Sequence, residues 1–146
     1  MIKVFDYIES DIDNMKFNKW AKHLKSSKNL KRIKQYLKMA YSYTLYDDKP
    51  VAILAFDEYA EDKYDGCIIA DECFSDNPKY AIKMKWLIGV LAEKMGATRV
   101  QTLSEDSPEL NKWHEFLGFK LEIKDAETIK GIRQNLWGME WEQQQH

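Results

Sequence analysis

Glycine is scarce in this chain of 146 residues: 6 in all, and none between Gly66 and Gly89. That interval holds a strand-to-helix junction, CFSDNPKYAIKMKWLIGVLAEKMG, the kind of place where many proteins hold a phosphate. Cysteine is also rare. Cys67 and Cys73 are the 2 present, six apart in one predicted strand. At about 3.3 Å per residue they are roughly 20 Å apart, too far to pair. No CxxC or Cys/His cluster points to zinc, and a reduced compartment follows. No run of about 18 apolar residues exists to span a membrane. The opening MIKVFDYIESDID lacks a signal-peptide core, so a cytosolic location is expected. Acid is missing from Lys16 to Lys38, which holds eight lysines and Arg32. With a net charge of −2 overall, the remainder carries −11.

What is present describes one folded domain. Hydrophobic residues make up 45% and aromatics 13%, enough for a real core at this length. IKVFDYI reads as a strand. FNKWAKHLK places Phe17, Trp20, Ala21 and Leu24 at helical spacing, and Ser26-Ser27 can cap a second helix, KNLKRIKQYLKMA. AYSYTLY and PVAILAFDEY flank Asp47-Asp48-Lys49-Pro50 as a hairpin. AEDKYDG reads as a long acidic turn and GCIIADECF as the next strand. A helix spans 79–95 and ends at Gly96. TRVQTLS is a strand. Ser107-Pro108 opens a short helix with Leu110, Trp113, His114 and Leu117 on one face, closed by Gly118. FKLEI and IRQNLWGMEW are the last strands, and the tail after residue 140 is expected to be exposed. The order is β-α-α-β-β-β-α-β-α-β-β: α+β, a mixed sheet of about six or seven strands with about four helices, the long helix crossing between strands of parallel sense.

Three features carry open alternatives. The lysines at 16, 19, 22, 25, 28, 31 and 34 form a solvated face, or a surface for nucleic acid or an acidic partner. The acidic run from Asp57 to Asp65 is an exposed loop, or meets the basic segment of a neighbouring copy in self-association. Trp86 and Trp113 fit helix core faces, and Trp137, Met139 and Trp141 alternate on the last strand.

The element order, with the ending SPELNKWHEFLGFKLEI, resembles the GNAT (Gcn5-related N-acyltransferase) superfamily over almost the whole chain. The resemblance implies a single domain, 1–146, that binds acetyl-CoA between GCIIADECF and TRVQTLS. It sets the diphosphate on the N-terminus of the long helix, in a loop that falls here on Ser75-Asp76-Asn77-Pro78-Lys79-Tyr80. Cys73, Phe74, Asn77, Lys79, Tyr80 and Ala81 are then the candidate cofactor-binding residues. Pro78 and Tyr80 stand where the family has glycine. Proline offers no N–H, and a tyrosine side chain limits backbone approach. The resemblance puts His114 where the family has a tyrosine that protonates the leaving thiolate. A histidine can shuttle a proton, and it can equally pack in an apolar stripe. Candidate bases are Glu72 and Glu105, with Glu58 and Asp71.

The segments TLYDDKPVAI and NKWHEFLGFKLEI resemble, more narrowly, the GNAT-like internal virion proteins of short-tailed bacteriophages. That resemblance implies a degraded phosphate loop and a non-catalytic role in virion structure or assembly, among other virion proteins, in host cytoplasm or particle. The alternatives are an active acyl-CoA-dependent N-acetyltransferase on an acidic or small acceptor, and a basic-faced binding module.

Overall fold

The computed structural model describes residues 1–127 and 133–141. Residues 128–132 and the tail 142–146 lie outside the described residues. The strands are β1 (Lys3–Asp6), β2 (Tyr41–Tyr46), β3 (Pro50–Ala60), β4 (Lys63–Ala70), β5 (Arg99–Ser104), β6 (Lys120–Glu127) and β7 (Arg133–Glu140). The helices are α1 (Glu9–Asp13), α2 (Ser27–Met39), α3 (Pro78–Met95) and α4 (Pro108–Leu117). One seven-stranded sheet runs β1-β2-β3-β4-β5-β7-β6. The expected α+β class and element order hold, and β4 and β5 are parallel on either side of α3 in the chain. The chain divides into two compact units, Met1–Asp57 with Gly66–Met84, and Glu58–Asp65 with Lys85–His146.

In the first unit, β1 and β3 both pair antiparallel with β2. The β2–β3 hairpin turns at Asp47-Asp48-Lys49, with Asp48 at φ 61 and the Asp47 N–H bonded to the Lys49 carbonyl. Aspartate tolerates that left-handed geometry better than a branched residue. The core gathers Ile12, Met15, Phe17, Ala21, Leu37, Ile53, Ala55 and Ile69.

The first predicted helix is not where the spacing put it. An α-helix of one turn, α1, comes earlier, and the Asp11 carboxylate accepts the Ile8 N–H at its start. Residues 17–21 are not helical, and a short 3-10 turn, Lys22–Lys25, follows. Asn18 is the reason. Its Oδ1 accepts from the N–H groups of Trp20 and Ala21 at 3.1 and 3.2 Å, a local turn that competes with helix. Phe17 and Ala21 are buried all the same, delivered by an irregular path. Ser26 caps α2 as expected, its hydroxyl accepting from Asn29 N–H. The strand expected over GCIIADECF ends at Ala70, so Cys73 lies in a 3-10 turn, Glu72–Asp76, and not on the strand with Cys67. Both thiols are free.

In the second unit the long acidic turn shrinks to Glu61-Asp62, with Asp62 at φ 60. Strand pairing reaches Lys63↔Arg99, Tyr64↔Val100 and Asp65↔Gln101, because β-branched and aromatic neighbours extend both strands to the turn. β5 and β6 both pair antiparallel with β7. Here α3 buries Leu87, Ile88, Leu91 and Ala92, an i, i+1, i+4, i+5 face. Trp86 falls on the other side and is 52% exposed, against the expectation that it packs in the core. Gly96 (φ 67) and Gly118 (φ 101) end α3 and α4 in the left-handed conformation. The bonds Ala97 N–H to Ala92 O and Phe119 N–H to His114 O close the two ends. Trp137 is buried, while Trp141 lies beyond the strand, its N–H on the Thr98 carbonyl.

Candidate functional site

In the first unit β4 runs into Asp71, which has no solvent exposure. Its Oδ1 accepts from Lys16 N–H at 2.8 Å, and its Oδ2 from Cys73 N–H at 2.9 Å and Lys49 Nζ at 3.2 Å. The backbone repeats the connection. Asp71 N–H reaches the Val51 carbonyl, Glu72 N–H the Lys16 carbonyl, and Asn18 N–H the Ala70 carbonyl. Burial acts to raise the Asp71 carboxyl. The Cys73 and Lys16 amides and the Lys49 ammonium outweigh it, and the group is held below its ordinary value. Asp71 is thus an ionised clamp that joins three segments. All of its donors are structural, which leaves it unsuited to work as a general base.

The turn after Asp71 carries the predicted cofactor residues. Cys73, Phe74, Asn77, Lys79, Tyr80 and Ala81 do lie together, at the 3-10 turn and the first turn of α3. What their main chain offers is another matter. Four N–H groups at a helix start normally lack partners. Here Pro78 has none to give. Lys79 N–H donates to Asn77 Oδ1 at 3.0 Å, and Tyr80 N–H to the Asn77 carbonyl at 3.0 Å. Asn77, the residue before the helix, therefore caps it. The Tyr80 ring stacks on Phe74, centroids 6.2 Å apart. Its hydroxyl donates to Asp47 Oδ2 at 2.7 Å, a bond that pushes the phenol up to about 12 and holds Asp47 low. The Cys73 thiol is pushed up to about 11, by burial first and the Asp71 carboxylate second, so it is no nucleophile near neutrality.

An acyl-CoA diphosphate seated at this turn would need those amides. The residues present do not fit the group: one donor is missing, two are engaged, and Asp47 and Asp76 bring negative charge to the same end. At about 1.5–3 kcal/mol per charge-assisted bond, loss of the two engaged amides to the ligand weakens binding by about two to four powers of ten.

His114 lies in the second unit, on α4. It is 7% exposed, stacked on Trp137 at 5.2 Å and 16°, with Phe119 edge-on at 5.9 Å. Nδ1 is 2.7 Å from the Leu110 carbonyl. A carbonyl only accepts, so Nδ1 carries the proton. Burial lowers the pKa, more than the Leu110 carbonyl raises it, and the ring is neutral at pH 7. The packed alternative describes this histidine. Glu105 is exposed. Glu58 is exposed too, and its carboxylate accepts Asp62 N–H at 3.3 Å in the β3–β4 turn. In the first unit Glu72 is exposed, with its N–H on Lys16 O.

Two polar assemblies in the second unit escaped the sequence reading. Asn135, with no exposure, accepts Asp125 N–H and donates to Asp106 and Asn111, which ties β7 to the start of α4. Arg99 bridges Glu122 and Glu140. The Asx-rich SEDSPELN run was the only hint of the first. Nothing in the sequence pairs Arg99 with acids so far away. Among the described residues, no group of histidine, cysteine and acid side chains could hold a metal, and no helix is long and apolar enough to cross a membrane.

No family model matches the chain, and no curated protein matches it in sequence. Solved structures do match. The fold is that of the GNAT-family acetyltransferases, shared at 8–16% identity. One is a GNAT family acetyltransferase from Elizabethkingia anophelis with acetyl-CoA bound, 16% identical with a TM-score of 0.69, covering 96% of this chain and 98% of that one. A second is an acetyltransferase from Bacillus subtilis in complex with CoA, at 14% and 0.70, covering 96% and 97%. A third is a GNAT family acetyltransferase from Bacillus anthracis, at 8% and 0.73, covering 95% and 94%. At such identities the likeness speaks for the fold alone.

Proposed function

We propose that this chain is a non-catalytic protein of the GNAT fold, its cofactor turn rebuilt as a self-capped joint, and that it acts in the structure or assembly of a particle. The observation that carries the non-catalytic part is the first turn of α3. Pro78 supplies no amide, and Asn77 takes those of Lys79 and Tyr80. The candidate acid and bases support the same reading. His114 is buried among aromatic rings, and Asp71 is spent on three structural donors. The assembly part rests on the phage-like segments 44–53 and 111–123.

The other reading is an acyl-CoA-dependent N-acetyltransferase. It is favoured by fold neighbours that hold acetyl-CoA or CoA. Thermal unfolding with millimolar acetyl-CoA separates the two. A ligand at about 100 times its Kd stabilises the native state by about 2.7 kcal/mol, which at this size raises Tm by roughly 5–10 °C. No shift is expected. A clear rise would overturn the non-catalytic reading. A strictly monomeric state at high concentration, with no capture of particle components, would remove the assembly role.

A further inference from the structure

One strongly charged surface lies apart from the candidate site residues, on the 3-10 turn and α2. The 3-10 turn Lys22–Lys25 and α2 follow one another directly through Ser26. Between positions 22 and 38 every exposed side chain is Lys, Arg, His, Ser or Gln. At 100° per residue, Lys28, Lys31, Arg32 and Gln35 share an arc of about 100° on α2, opposite Leu30, Ile33 and Leu37. The acids of α1 are engaged elsewhere: Asp13 holds Lys34 at 2.6 Å, Glu9 holds Lys38 at 3.7 Å, and Asp11 accepts from the Thr44 hydroxyl and the Ile8 N–H. Among the described residues, no carboxylate pairs with Lys22, Lys25, Lys28, Lys31 or Arg32. The surface is therefore a strip of five uncompensated cations, two in the 3-10 turn and three within about 6 Å of one another along α2, in a chain whose residues outside 16–38 sum to −11.

We infer that this strip binds the phosphate backbone of nucleic acid, without regard to sequence. A stable protein partner needs an apolar centre with aromatic or arginine anchors, and the one large apolar side chain exposed on α2 is Met39, at its last position. This strip has one arginine and four lysines, which act as point charges on flexible stems and suit a regular line of phosphates. The strongly negative remainder repels a polyanion elsewhere and so orients it on the strip. The inference stands independently of whether acetyl-CoA binds.

The test is anisotropy of a labelled duplex of about 20 base pairs and random sequence with the full chain, between about 50 and 200 mM salt. With about five phosphates neutralised, log Kd should change with log salt at a slope of about 4.5, an affinity loss of about 500-fold over that range. The triple variant Lys28→Glu, Lys31→Glu, Arg32→Glu should lose binding at the lower salt while its circular dichroism stays native. The charge-matched control Lys94→Glu, Lys112→Glu, Lys120→Glu, all exposed positions, should bind as the parent does. A permuted duplex should bind equally. No binding at the lower salt, binding that survives the triple variant, or preferential binding of polyglutamate over the duplex would each overturn the inference.

Discussion

Replacing Asp71 by asparagine should cost about 3 kcal/mol of stability. The carboxylate is inaccessible to solvent, and its two oxygens face three donors. Asparagine keeps one oxygen and sets an amide N–H₂ against the donor of the other. Either the Lys16 N–H or the Cys73 N–H then lies buried without an acceptor, at about 1–3 kcal/mol, and the surviving bond loses its charge assistance. Lys49 adds little, since its side chain is 48% exposed and water can take its place. A loss of that size is a large share of the about 5–15 kcal/mol of a typical domain and should lower Tm by roughly 10 °C. The pH dependence carries the sharper signature. Asp71 is held below its ordinary 3.8 in the folded state. As pH falls below that value the unfolded chain takes up a proton that the folded chain still refuses. The stabilisation is therefore complete above about pH 5 and lost as pH drops through the depressed folded value. Urea titrations from pH 3 to pH 7 should show parent and Asp71→Asn curves converging at the acid end. A variant within about 0.5 kcal/mol of the parent at neutral pH, or curves that stay parallel on acidification, would refute the clamp.

His114→Phe should fold and keep most of its stability, because the ring already sits among Trp137 and Phe119. The parent's folded pKa lies below 6.5, so the parent loses stability as pH falls below about 6.5, where only the unfolded chain protonates; the variant should lack that segment, as denaturant midpoints will reveal. Asn77→Ala removes the side-chain cap of α3 and should cost about 1 kcal/mol, read as a Tm drop of a few degrees. Gly118→Ala forces a side chain to φ 101, with Met139 Sδ 3.7 Å from the new methyl; a loss of about 1 kcal/mol or more is expected from the same melts.

The fold was largely legible from short-range signals. α2, α3 and α4 each announce themselves by an apolar stripe with a cap or a closing glycine, at Ser26, Gly96, Ser107 and Gly118. The β2–β3 hairpin is equally local. The misplaced first helix shows the limit: apolar spacing at Phe17, Ala21 and Leu24 records burial, and a single Asn18 turn reaches the same burial without helix. Trp86 shows another limit, since hydrophobicity alone does not say on which side of α3 a residue lies. At the candidate site, the missing glycine and Pro78 were visible in the chain. The capping of the Lys79 N–H by the Asn77 side chain could be guessed from residue type, but not the stacking of Tyr80 on Phe74 or its bond to Asp47.

By itself, then, the chain determined its element types, their order and the absence of amide donors at Pro78, because backbone propensity, capping and proline chemistry act over a few residues. Only the tertiary structure decided what the acids and His114 do. Asp71 meets Lys16 across 55 positions and Lys49 across 22, and His114 meets Trp137 through the packing of α4 on β7. Protonation and partner choice depend on burial and on long-range neighbours, and neither exists until the sheet has formed.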